Sequence, residues 1–285
     1  MLRQIAKAIR HHPTLEGADG LWNVLRKPYH LALGLGGRGT KVSVGGIDNK
    51  VTIRIPPDLS ARSLEEYEPT TINALSQWVK RHPGAAIIDI GCSIGFFSAS
   101  AMFLDPIAKV IAIDSDIESV AVTRRFCQYA PTPSRLTTIH GLITNDAPFS
   151  SLTDAATQTE ARLVASGARG TLHGAQFVNL HSVSEHWPRY RLDDLFSGAI
   201  DRPILIKCDV EGAELFVLRG AGRFLSEMQC DLLLSVHSCH GIALMERYGH
   251  TVEDVRKFLK DLDYQIEVLA IDHEEHWWCT PAQRS

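Results

Sequence analysis

The fold is decided by the stretch Ile87-Ile-Asp-Ile-Gly-Cys-Ser-Ile-Gly-Phe-Phe-Ser98. It begins with a β-branched apolar run, turns between Gly91 and Gly95, and resumes an apolar pattern at helical spacing up to Leu104, which predicts a buried strand, a tight turn and a helix. Glycine at 91 can adopt a positive φ, and the helix start offers unpaired N–H groups and the positive end of a dipole. Such a turn favours a site for a nucleoside cofactor.

The spacing of this turn argues against a dinucleotide. The dinucleotide fingerprint Gly-x-Gly-x-x-Gly requires glycine at position 93, where this chain has Ser93. A second apolar strand, Lys109–Asp114, ends in an acid about 20 residues beyond Gly95, which is the usual place of a ribose-binding carboxylate. Asp114 is therefore the candidate ribose ligand.

The composition is that of a globular protein. The chain has 285 residues, of which 45% are hydrophobic and 22% charged, with a net charge of -4 from 29 basic and 33 acidic side chains. Nucleic-acid binders normally carry a basic excess, so we expect no nucleic-acid partner. Six cysteines form no C-x-x-C pair, and neither a membrane span nor a signal peptide is recognisable. These features predict a cytoplasmic protein with reduced thiols; they leave the oligomeric state open.

The first sixty residues predict a small appendage, and residues 61–285 the main domain. Residues 2–12 predict a basic amphipathic helix, which would pack on the domain or lie on an anionic membrane surface, and residues 21–27 predict a second helix. Lys41–Val44 and Val51–Ile55 alternate as the strands of a hairpin. A capping-box pattern at 63–66 predicts a helix to about Lys80, whose regular part Pro69 delays to Thr70.

Strands and helices alternate through the main domain, which predicts βαβ crossovers and a parallel sheet. After Asp114 we expect a helix over 117–129 capped by Asp116, and a strand over 136–143. Residues 144–190 are predicted to be an insertion with a helical piece at 153–165 and a strand at 176–183; together with the appendage, it would form a lid over the carboxyl ends of the strands. The later elements are predicted at the following residues: strands 204–209, 231–237 and 265–271, a helix over 251–262, and a last strand from 276. The first, fourth and fifth strands should be central because both of their faces are apolar.

Together these motifs resemble the FkbM-type family of class I, S-adenosylmethionine-dependent methyltransferases. The matching segments are Tyr67-Glu-Pro69, Asp89 to Ser98, Asp114, Leu192-Asp-Asp-Leu195 and Ile206 to Ala221. The most specific block is Lys207-x-Asp-Val-Glu-Gly-x-Glu214, at the end of the fourth strand. The resemblance covers about residues 63–285. It implies a Rossmann-like α/β fold with a seven-stranded, mostly parallel sheet whose last strand is antiparallel.

The resemblance also implies S-adenosylmethionine as cofactor and a set of residues around it. The predicted cofactor-binding residues are Glu68, Asp89, Gly91, Ser93, Gly95, Phe96, Asp114, Ser115, Gly141 and Leu142. Those of the first turn would surround the amino-acid end of the cofactor, and Asp114 would bind the ribose hydroxyls. This chain departs from the family pattern twice, with Ser93 in place of the usual asparagine and Ser235 in place of a glutamate two residues before His237.

Asp209, Glu211 and His237, at the ends of the fourth and fifth strands, are the predicted catalytic residues. Methyl transfer needs a general base only if the acceptor holds a proton, and each of these side chains could accept one. Lys207 lies two residues before Asp209 and shares its strand face, so we expect an ion pair that keeps Asp209 ionised. Two simpler interpretations stay open: Glu211 as a carboxylate at a helix N-terminus, and His237 as a hydrogen-bonded strand histidine.

We expect no metal site, although the two carboxylates with His237 and His240 could hold an ion. Their spacing matches no standard zinc pattern, and the segment from His273 to His276 is not His-Glu-x-x-His. Three tryptophans, at positions 187, 277 and 278, would either wall an acceptor pocket or pack in the core.

The predicted function is methyl transfer from S-adenosylmethionine to a hydroxyl oxygen of a small molecule, a sugar or a lipid-linked glycan. Two other classes stay open at this stage: a nucleotide-sugar or dinucleotide-dependent enzyme on the same sheet, and a non-catalytic cofactor-binding module.

Overall fold

A computed structural model describes residues 39–45, 51–56, 67–170, 187–198, 200, 202–237, 245–246, 248–272 and 274–282. Several predictions from the sequence fall outside these residues. They are the two N-terminal helices, the capping box at 63–66, the strand at 176–183, and the side chains of His240 and His273.

The described residues form eleven strands and eight α-helices. The strands are β1 (Thr40–Val44), β2 (Val51–Ile55), β3 (Ala86–Ile90), β4 (Lys109–Asp114), β5 (Leu136–His140), β6 (Leu142–Ile143), β7 (Arg189–Tyr190), β8 (Ile204–Cys208), β9 (Asp231–Val236), β10 (Tyr264–Ile271) and β11 (Glu275–Pro281). The helices are α1 (Pro69–Arg81), α2 (Phe96–Leu104), α3 (Ile117–Cys127), α4 (Leu152–Ser166), α5 (Leu192–Leu195), α6 (Glu214–Gly220), α7 (Gly222–Met228) and α8 (Val252–Asp261).

Seven strands form one sheet in the order β10-β11-β9-β8-β3-β4-β5. The pairs from β9 to β5 are parallel, and β11, the last strand of the chain, runs antiparallel to both of its neighbours. This confirms the predicted Rossmann-like α/β fold, including the antiparallel last strand and the central position of β3, β8 and β9. These three strands are apolar on both faces because helices cover both sides of the sheet.

Alternate residues of the central strands face two separate cores. Ile87 and Leu205 belong to a cluster that includes α1, α2 and α3, whereas Ile88 and Ile206 belong to one that includes α5 to α8. The hairpin β1–β2, confirmed by its antiparallel register, packs on α2 and contributes to the first cluster. The hairpin thus shares the core of the main sheet, while the predicted boundary at residue 60 stays a prediction.

Two helix starts can be compared with their predictions, those of α1 and α3. Pro69 is the first residue of α1, one residue earlier than predicted, because proline tolerates the first helical turn. The carboxylate of Asp116 accepts hydrogen bonds from the N–H groups of Glu118 and Ser119 at the start of α3, as expected. Helix α3 ends at Cys127, two residues before the predicted end.

The Leu-Asp-Asp-Leu motif has a structural role at the N-terminus of α7. Asp193 is buried, and its Oδ1 accepts a hydrogen bond of 2.8 Å from the N–H of Phe224. Its Oδ2 lies 3.1 Å from Nη2 of Arg191. The motif therefore ties α5 to α7.

The predicted single strand over 136–143 is wrong at Gly141. Strand β5 ends at His140, and after Gly141 the two residues of β6 pair in parallel with β7 instead of continuing in the main sheet. A Cβ at Gly141 would lie 2.5 Å from the ring of Tyr190, so glycine allows the chain to bend there against β7.

Helix α4, the helical part of the insertion, lies along the edge strand β5 and against α3. Oγ1 of Thr159 accepts a hydrogen bond of 2.9 Å from the N–H of His140, and Arg124 of α3 pairs with Glu160. The helix thus covers a strand edge that would otherwise expose its backbone groups. Helix α4 therefore has a structural role at the edge of β5, and the lid that residues 144–190 and the appendage would form stays a prediction, since residues 171–186 lie outside the described residues.

Five of the six cysteines are described, and all five are buried with free thiols, which agrees with the expected core role: Cys92, Cys127, Cys208, Cys230 and Cys279. None of the helices in the described part of the chain is long and apolar enough to cross a bilayer.

The strand order places a topological switch point between β3 and β8. From β3 the chain builds β4 and β5 on one side, and then returns to build β8 and β9 on the other. In open α/β sheets a ligand binds at the carboxyl ends of the two strands where the direction of growth reverses. The candidate site is therefore expected beside the loops that follow Ile90 and Cys208.

Candidate active site

The loops after β3 and β8 touch each other directly. Gly91 has φ of +78°, and a Cβ there would lie 1.8 Å from the carbonyl oxygen of Asp209. The N–H of Asp209 in turn donates to the carbonyl of Ile90 at 3.0 Å. Glycine is therefore required at position 91 both by its backbone angle and by the approach of the β8 loop.

Asp89 is a completely buried carboxylate on β3. Its Oδ2 accepts hydrogen bonds from the backbone N–H (3.1 Å) and the hydroxyl (2.6 Å) of Ser98, while Oδ1 has no hydrogen-bond partner among the described residues. Burial raises the pKa of Asp89, and Lys207 and Ser98 partly offset that rise. A buried acceptor without a partner is costly, so Oδ1 is suited to a ligand that donates a hydrogen bond.

Asp114 ends β4 at the same edge of the sheet. Its Oδ2 accepts from the N–H of Ser93 at 2.8 Å and its Oδ1 from the N–H of Asp116 at 2.9 Å. Burial raises the pKa of Asp114 to about 6, although both backbone hydrogen bonds lower it. Each oxygen keeps a lone pair for a further donor, such as a hydroxyl of a ribose.

Two residues of the predicted cofactor turn serve packing as well. Gly95 has φ of +78°, and a Cβ there would lie 2.7 Å from the Cα of Thr123, so the glycine lets α2 start close to α3. Phe96 is buried, with the ring of Tyr67 edge-on at 5.3 Å. Ser93 is exposed with φ of +49°, a region in which asparagine is more at ease than serine.

Three further predicted residues lie at the carboxyl ends of β4 and β5. The carbonyl of Ser115 is 3.1 Å from Nε2 of His140, and the N–H of Gly141 donates to the carbonyl of Asp114 at 2.8 Å. Leu142 pairs with Arg189 in the small sheet. The structure thus brings these residues to the edge that carries Asp114, and their contact with a cofactor stays a prediction.

Lys207 and Asp209 form the predicted ion pair at the end of β8. Nζ of Lys207 lies 2.9 Å from Oδ2 of Asp209, and the lysine side chain is 7% exposed. Burial alone would raise the pKa of Asp209, but the charges of Lys207 and His237 hold it below its usual range. Asp209 is therefore ionised at neutral pH, as expected.

Glu68 reaches this region from the start of α1. It has φ of +41°, and burial raises the pKa of its carboxyl group, with Lys207 opposing the rise. One carboxylate oxygen from each of Glu68, Asp209 and Glu274 lies within 4.8 Å of the others. Backbone strain of this kind persists at sites that are otherwise well determined, so the position of Glu68 points to function rather than to stability.

His237 is surrounded by four carboxylates. Nδ1 lies 2.8 Å from Oε1 of Glu214, while Nε2 lies 2.8 Å from Oε2 of Glu274, 3.1 Å from Oε2 of Glu211 and 3.7 Å from Oδ1 of Asp209. Burial lowers the pKa of His237, but hydrogen bonds with Glu211, Glu214 and Glu274 outweigh this and raise it to about 12. As long as no other cation lies among these carboxylates, His237 is protonated and cannot act as the predicted general base.

The two simpler interpretations of these residues fare differently. A carboxylate does accept a backbone N–H at this helix start, but it is that of Glu214, whose Oε1 accepts from Gly212 at 3.0 Å. Glu211, with φ of +53° and a side chain that is 46% exposed, instead contacts His237. His237 is hydrogen-bonded at both ring nitrogens, as the second interpretation expected, yet its partners are the acids of the candidate site.

Glu274 is the residue that the sequence did not reveal. The antiparallel register pairs Glu275 with Val236, which places Glu274 directly opposite His237 on the neighbouring chain segment. Ser235, where the family usually has an acid, is hydrogen-bonded to Nδ1 of His276 at 3.3 Å. Knowledge of the β9–β11 pairing would have identified Glu274, which restores an acid to this strand end.

The tryptophans give no support to an acceptor pocket. Trp277 is fully buried beneath the guanidinium of Arg256, at 4.4 Å from its ring, and Trp278 packs against the core that contains α1 and α2. Trp187 meets the ring of His140 edge-on at 6.1 Å. The packing interpretation is confirmed for Trp277.

Comparison with solved structures finds methyltransferases whose sequence identity to this chain is low. The FkbM methyltransferase of Methylobacillus flagellatus is 17% identical over 78% of this chain and 55% of that chain, with a TM-score of 0.45. The precorrin-6y C5,15-methyltransferase of Geobacter metallireducens is 12% identical over 74% and 88%, with a TM-score of 0.41. An O-methyltransferase-like protein of Klebsiella pneumoniae is 16% identical over 79% and 82%, with a TM-score of 0.40.

A comparison with curated protein sequences finds no match. The family model described as the methyltransferase FkbM domain matches residues 89–266, which is more than half of the chain and includes the turn at Gly91, the acids that follow β8 and His237 at the end of β9. This chain therefore belongs to the FkbM family of methyltransferases.

Proposed function

We propose that this chain binds S-adenosylmethionine at the switch point between β3 and β8 and transfers its methyl group to a hydroxyl oxygen of a small molecule, sugar or glycan. The observation that carries the proposal is the pair of carboxylates at this edge. Asp89 has a buried acceptor oxygen without a partner among the described residues, and each oxygen of Asp114 accepts one backbone hydrogen bond and can accept another. Membership of the methyltransferase family supports the same assignment.

The chemistry of the donor set fits this cofactor. S-adenosylmethionine presents an ammonium group and two ribose hydroxyls, all of which donate hydrogen bonds. Oδ1 of Asp89 would accept from the ammonium, and the carboxylate of Asp114 from the ribose hydroxyls. Gly91 and Ser93 lie in the turn between β3 and α2, beside the carboxyl end of β3, which supports this assignment.

When bound, S-adenosylmethionine supplies a methyl carbon that is activated by its sulfonium. The task of the chain is then to orient the acceptor oxygen in line with that carbon and to take its proton. Asp209 is ionised and lies against the turn at Gly91, and Glu211 is two residues further along the same loop. We assign proton acceptance to these two carboxylates, both of which lie beside Nε2 of His237.

The same carboxylates favour a hydroxyl acceptor. Ionised carboxylates only accept hydrogen bonds, so they bind groups that donate, and a hydroxyl donates one proton and must lose it on methylation. A sugar or glycan offers several such hydroxyls, and the partly exposed Glu211 would be the first side chain to meet it.

Calorimetry of the full chain with S-adenosylmethionine, S-adenosylhomocysteine and NAD tests the cofactor. We expect the first two to bind and NAD not to bind; a preference for NAD would refute the proposal. Incubation with S-adenosylmethionine labelled in its methyl group and a panel of sugars, glycans and small alcohols then tests transfer. Label recovered on an oxygen would exclude a purely cofactor-binding module, whereas transfer to nitrogen or carbon alone would overturn the hydroxyl assignment.

A matched pair of variants tests the roles of the acids. Asp209→Asn should keep cofactor affinity within about threefold and lower the rate of transfer by about 10²-fold or more, the usual size of a general-base contribution. Asp261→Asn, the same change at an exposed position in α8, should leave both unchanged. Equal rates for the two variants would remove Asp209 from the mechanism.

A further inference from the structure

Nε2 of His237 faces more acceptors than one proton can serve. Three carboxylates, from Asp209, Glu211 and Glu274, place an oxygen within 3.7 Å of this single atom. A protonated imidazole nitrogen has one N–H and makes one good hydrogen bond. The convergence of three acidic side chains therefore suggests that something other than a proton belongs between them.

The other ring nitrogen is fixed in the arrangement of a metal-binding histidine. Nδ1 lies 2.8 Å from Oε1 of Glu214, whose side chain is completely buried and whose Oε2 has no partner among the described residues. Histidines that bind a metal usually donate the N–H of their second nitrogen to a carboxylate, which leaves a lone pair on the first. With Nδ1–H donated to Glu214, the lone pair of Nε2 points at the three carboxylates.

The distances suit ligands of one cation. Neighbouring ligands of an octahedral cation with bonds of about 2.1 Å lie about 3 Å apart. The separations of 2.8, 3.1 and 3.7 Å from Nε2 span this value, and the relevant atoms of Asp209, Glu211 and His237 all lie within 4.8 Å of one another. Glu68 and Glu274 form a second group with Asp209, which belongs to both groups.

Among the described residues, acidic groups outnumber basic ones in this region. Five carboxylates gather here, those of Glu68, Asp209, Glu211, Glu214 and Glu274. The described basic side chains beside them are those of Lys207, His237 and His276. A divalent cation would balance the set without requiring the carboxylates to be protonated.

We propose that Asp209, Glu211 and His237 bind one divalent cation of the Mg²⁺/Mn²⁺ type, with Glu214 positioning the histidine and Glu68 and Glu274 beside the site. Oxygen ligands favour Mg²⁺ or Mn²⁺, and the imidazole shifts the preference toward Mn²⁺. The expectation from the sequence that there is no metal site is thereby revised. Resting on the function proposed above, the cation would also hold the acceptor hydroxyl beside the methyl group and make it more acidic.

Titration of the EDTA-treated full chain with Mn²⁺, followed by electron paramagnetic resonance of the free ion, tests the site directly. We expect one Mn²⁺ per chain, and about tenfold or greater loss of affinity in both Glu211→Gln and Asp209→Asn. Glu267→Gln, the same change as at Glu211 but on an exposed position of β10, is the control and should bind as the wild type does. Absence of binding to the wild type at millimolar Mn²⁺, or equal affinity in Glu211→Gln and the control, would overturn the proposal.

A spectroscopic measurement on the wild type keeps the test independent of how the variants fold. Electron spin echo envelope modulation of the bound Mn²⁺ should show coupling to one ¹⁴N nucleus, that of His237; a signal without such coupling would refute the proposed ligand set. Calorimetry with S-adenosylmethionine on the same samples separates the two proposals. Cofactor binding without Mn²⁺ binding would refute the metal site alone, and Mn²⁺ binding without cofactor binding would refute the proposed function alone.

Discussion

The two halves of the candidate site are built in different ways. The half at β3 and β4 comes from one continuous stretch, and its carboxylates, Asp89 and Asp114, are held mainly by backbone N–H groups nearby. The half at β8 and β9 is assembled from residues as far apart as Glu68 and Glu274, and is held by charge. We therefore call the first the backbone-held half, because backbone geometry fixes its carboxylates, and the second the charge-held half, because it depends on the balance of buried charges.

The largest effect should come from breaking the contact between the halves. Gly91→Ala places a Cβ 1.8 Å from the carbonyl oxygen of Asp209 and forces alanine to φ of +78°. We expect a loss of about 4 kcal/mol or more in the free energy of unfolding, because neither loop can move without disturbing a central strand. Urea unfolding followed by circular dichroism measures it.

Gly84→Ala is the matched control, since Gly84 also has a positive φ, of +75°, but a Cβ there would meet nothing closer than 3.5 Å. It should cost only about 1–2 kcal/mol, the strain of the backbone angle itself. Similar losses in the two variants would mean that the close approach of the β8 loop contributes nothing.

The second prediction removes the positive charge from the charge-held half. Lys207→Met keeps the length of the side chain but leaves Asp209 buried beside other acids without its partner. Breaking a buried ion pair in this way typically costs about 3–5 kcal/mol. Lys109→Met, at an exposed position of β4, should change the free energy of unfolding by less than about 0.5 kcal/mol. If both variants unfold at the same urea concentration, charge balance does not hold this half together.

The sequence predicted the backbone-held half well because its signals are local. The apolar run before Gly91, the glycine pair and the acid at Asp114 lie on consecutive elements, so periodicity and spacing suffice to place them at one sheet edge. The apolar character of both faces also predicted which three strands are central. Reasoning from local signals failed at Gly141, where contact with Tyr190, a residue almost fifty positions later, ends the strand.

The charge-held half was predicted only in part because its contacts depend on sheet pairing between distant segments. The Lys207–Asp209 pair was found, since alternate strand residues share a face. Glu274 was not, because its place beside His237 depends on the register of β11 against β9. The protonation state of His237 could not be predicted for the same reason, since its pKa depends on neighbours that the sequence order does not show.

The third prediction concerns cofactor affinity in the backbone-held half. Asp114→Ala should weaken S-adenosylmethionine binding by about 1.5–3 kcal/mol, because the ribose hydroxyls lose a charged acceptor. Burial raises the pKa of Asp114 to about 6, and the ribose is bound by the ionised form. Wild-type affinity at pH 5 should therefore be about tenfold weaker than at pH 7, as calorimetry can show.

The stability of the free protein gives the opposite pH dependence. A carboxyl group with a raised pKa binds its proton more tightly in the folded protein than in the unfolded chain. Asp114 thus contributes a decline in stability as pH rises from about 4 to 6, and Asp114→Asn should lack that part of the decline.

Affinity that does not change between pH 5 and 7 would show that Asp114 is not the ribose ligand.

The smallest effect is expected from a substitution at Ser93, which tests how much the backbone geometry of the turn contributes. This residue is exposed and has φ of +49°, a region that asparagine adopts more readily than serine, while its N–H donates to Asp114. Ser93→Asn should raise the free energy of unfolding by about 0.5 kcal/mol and leave cofactor affinity within about twofold, because the hydrogen bond to Asp114 comes from the backbone. Ser93→Ala, which keeps the strained angle without a side chain that can favour it, should be no more stable than the wild type. Chemical unfolding of the wild type and the two variants measures these differences. If Ser93→Ala is as stable as Ser93→Asn, the gain does not come from the backbone angle, and the turn contributes less to the backbone-held half than we infer.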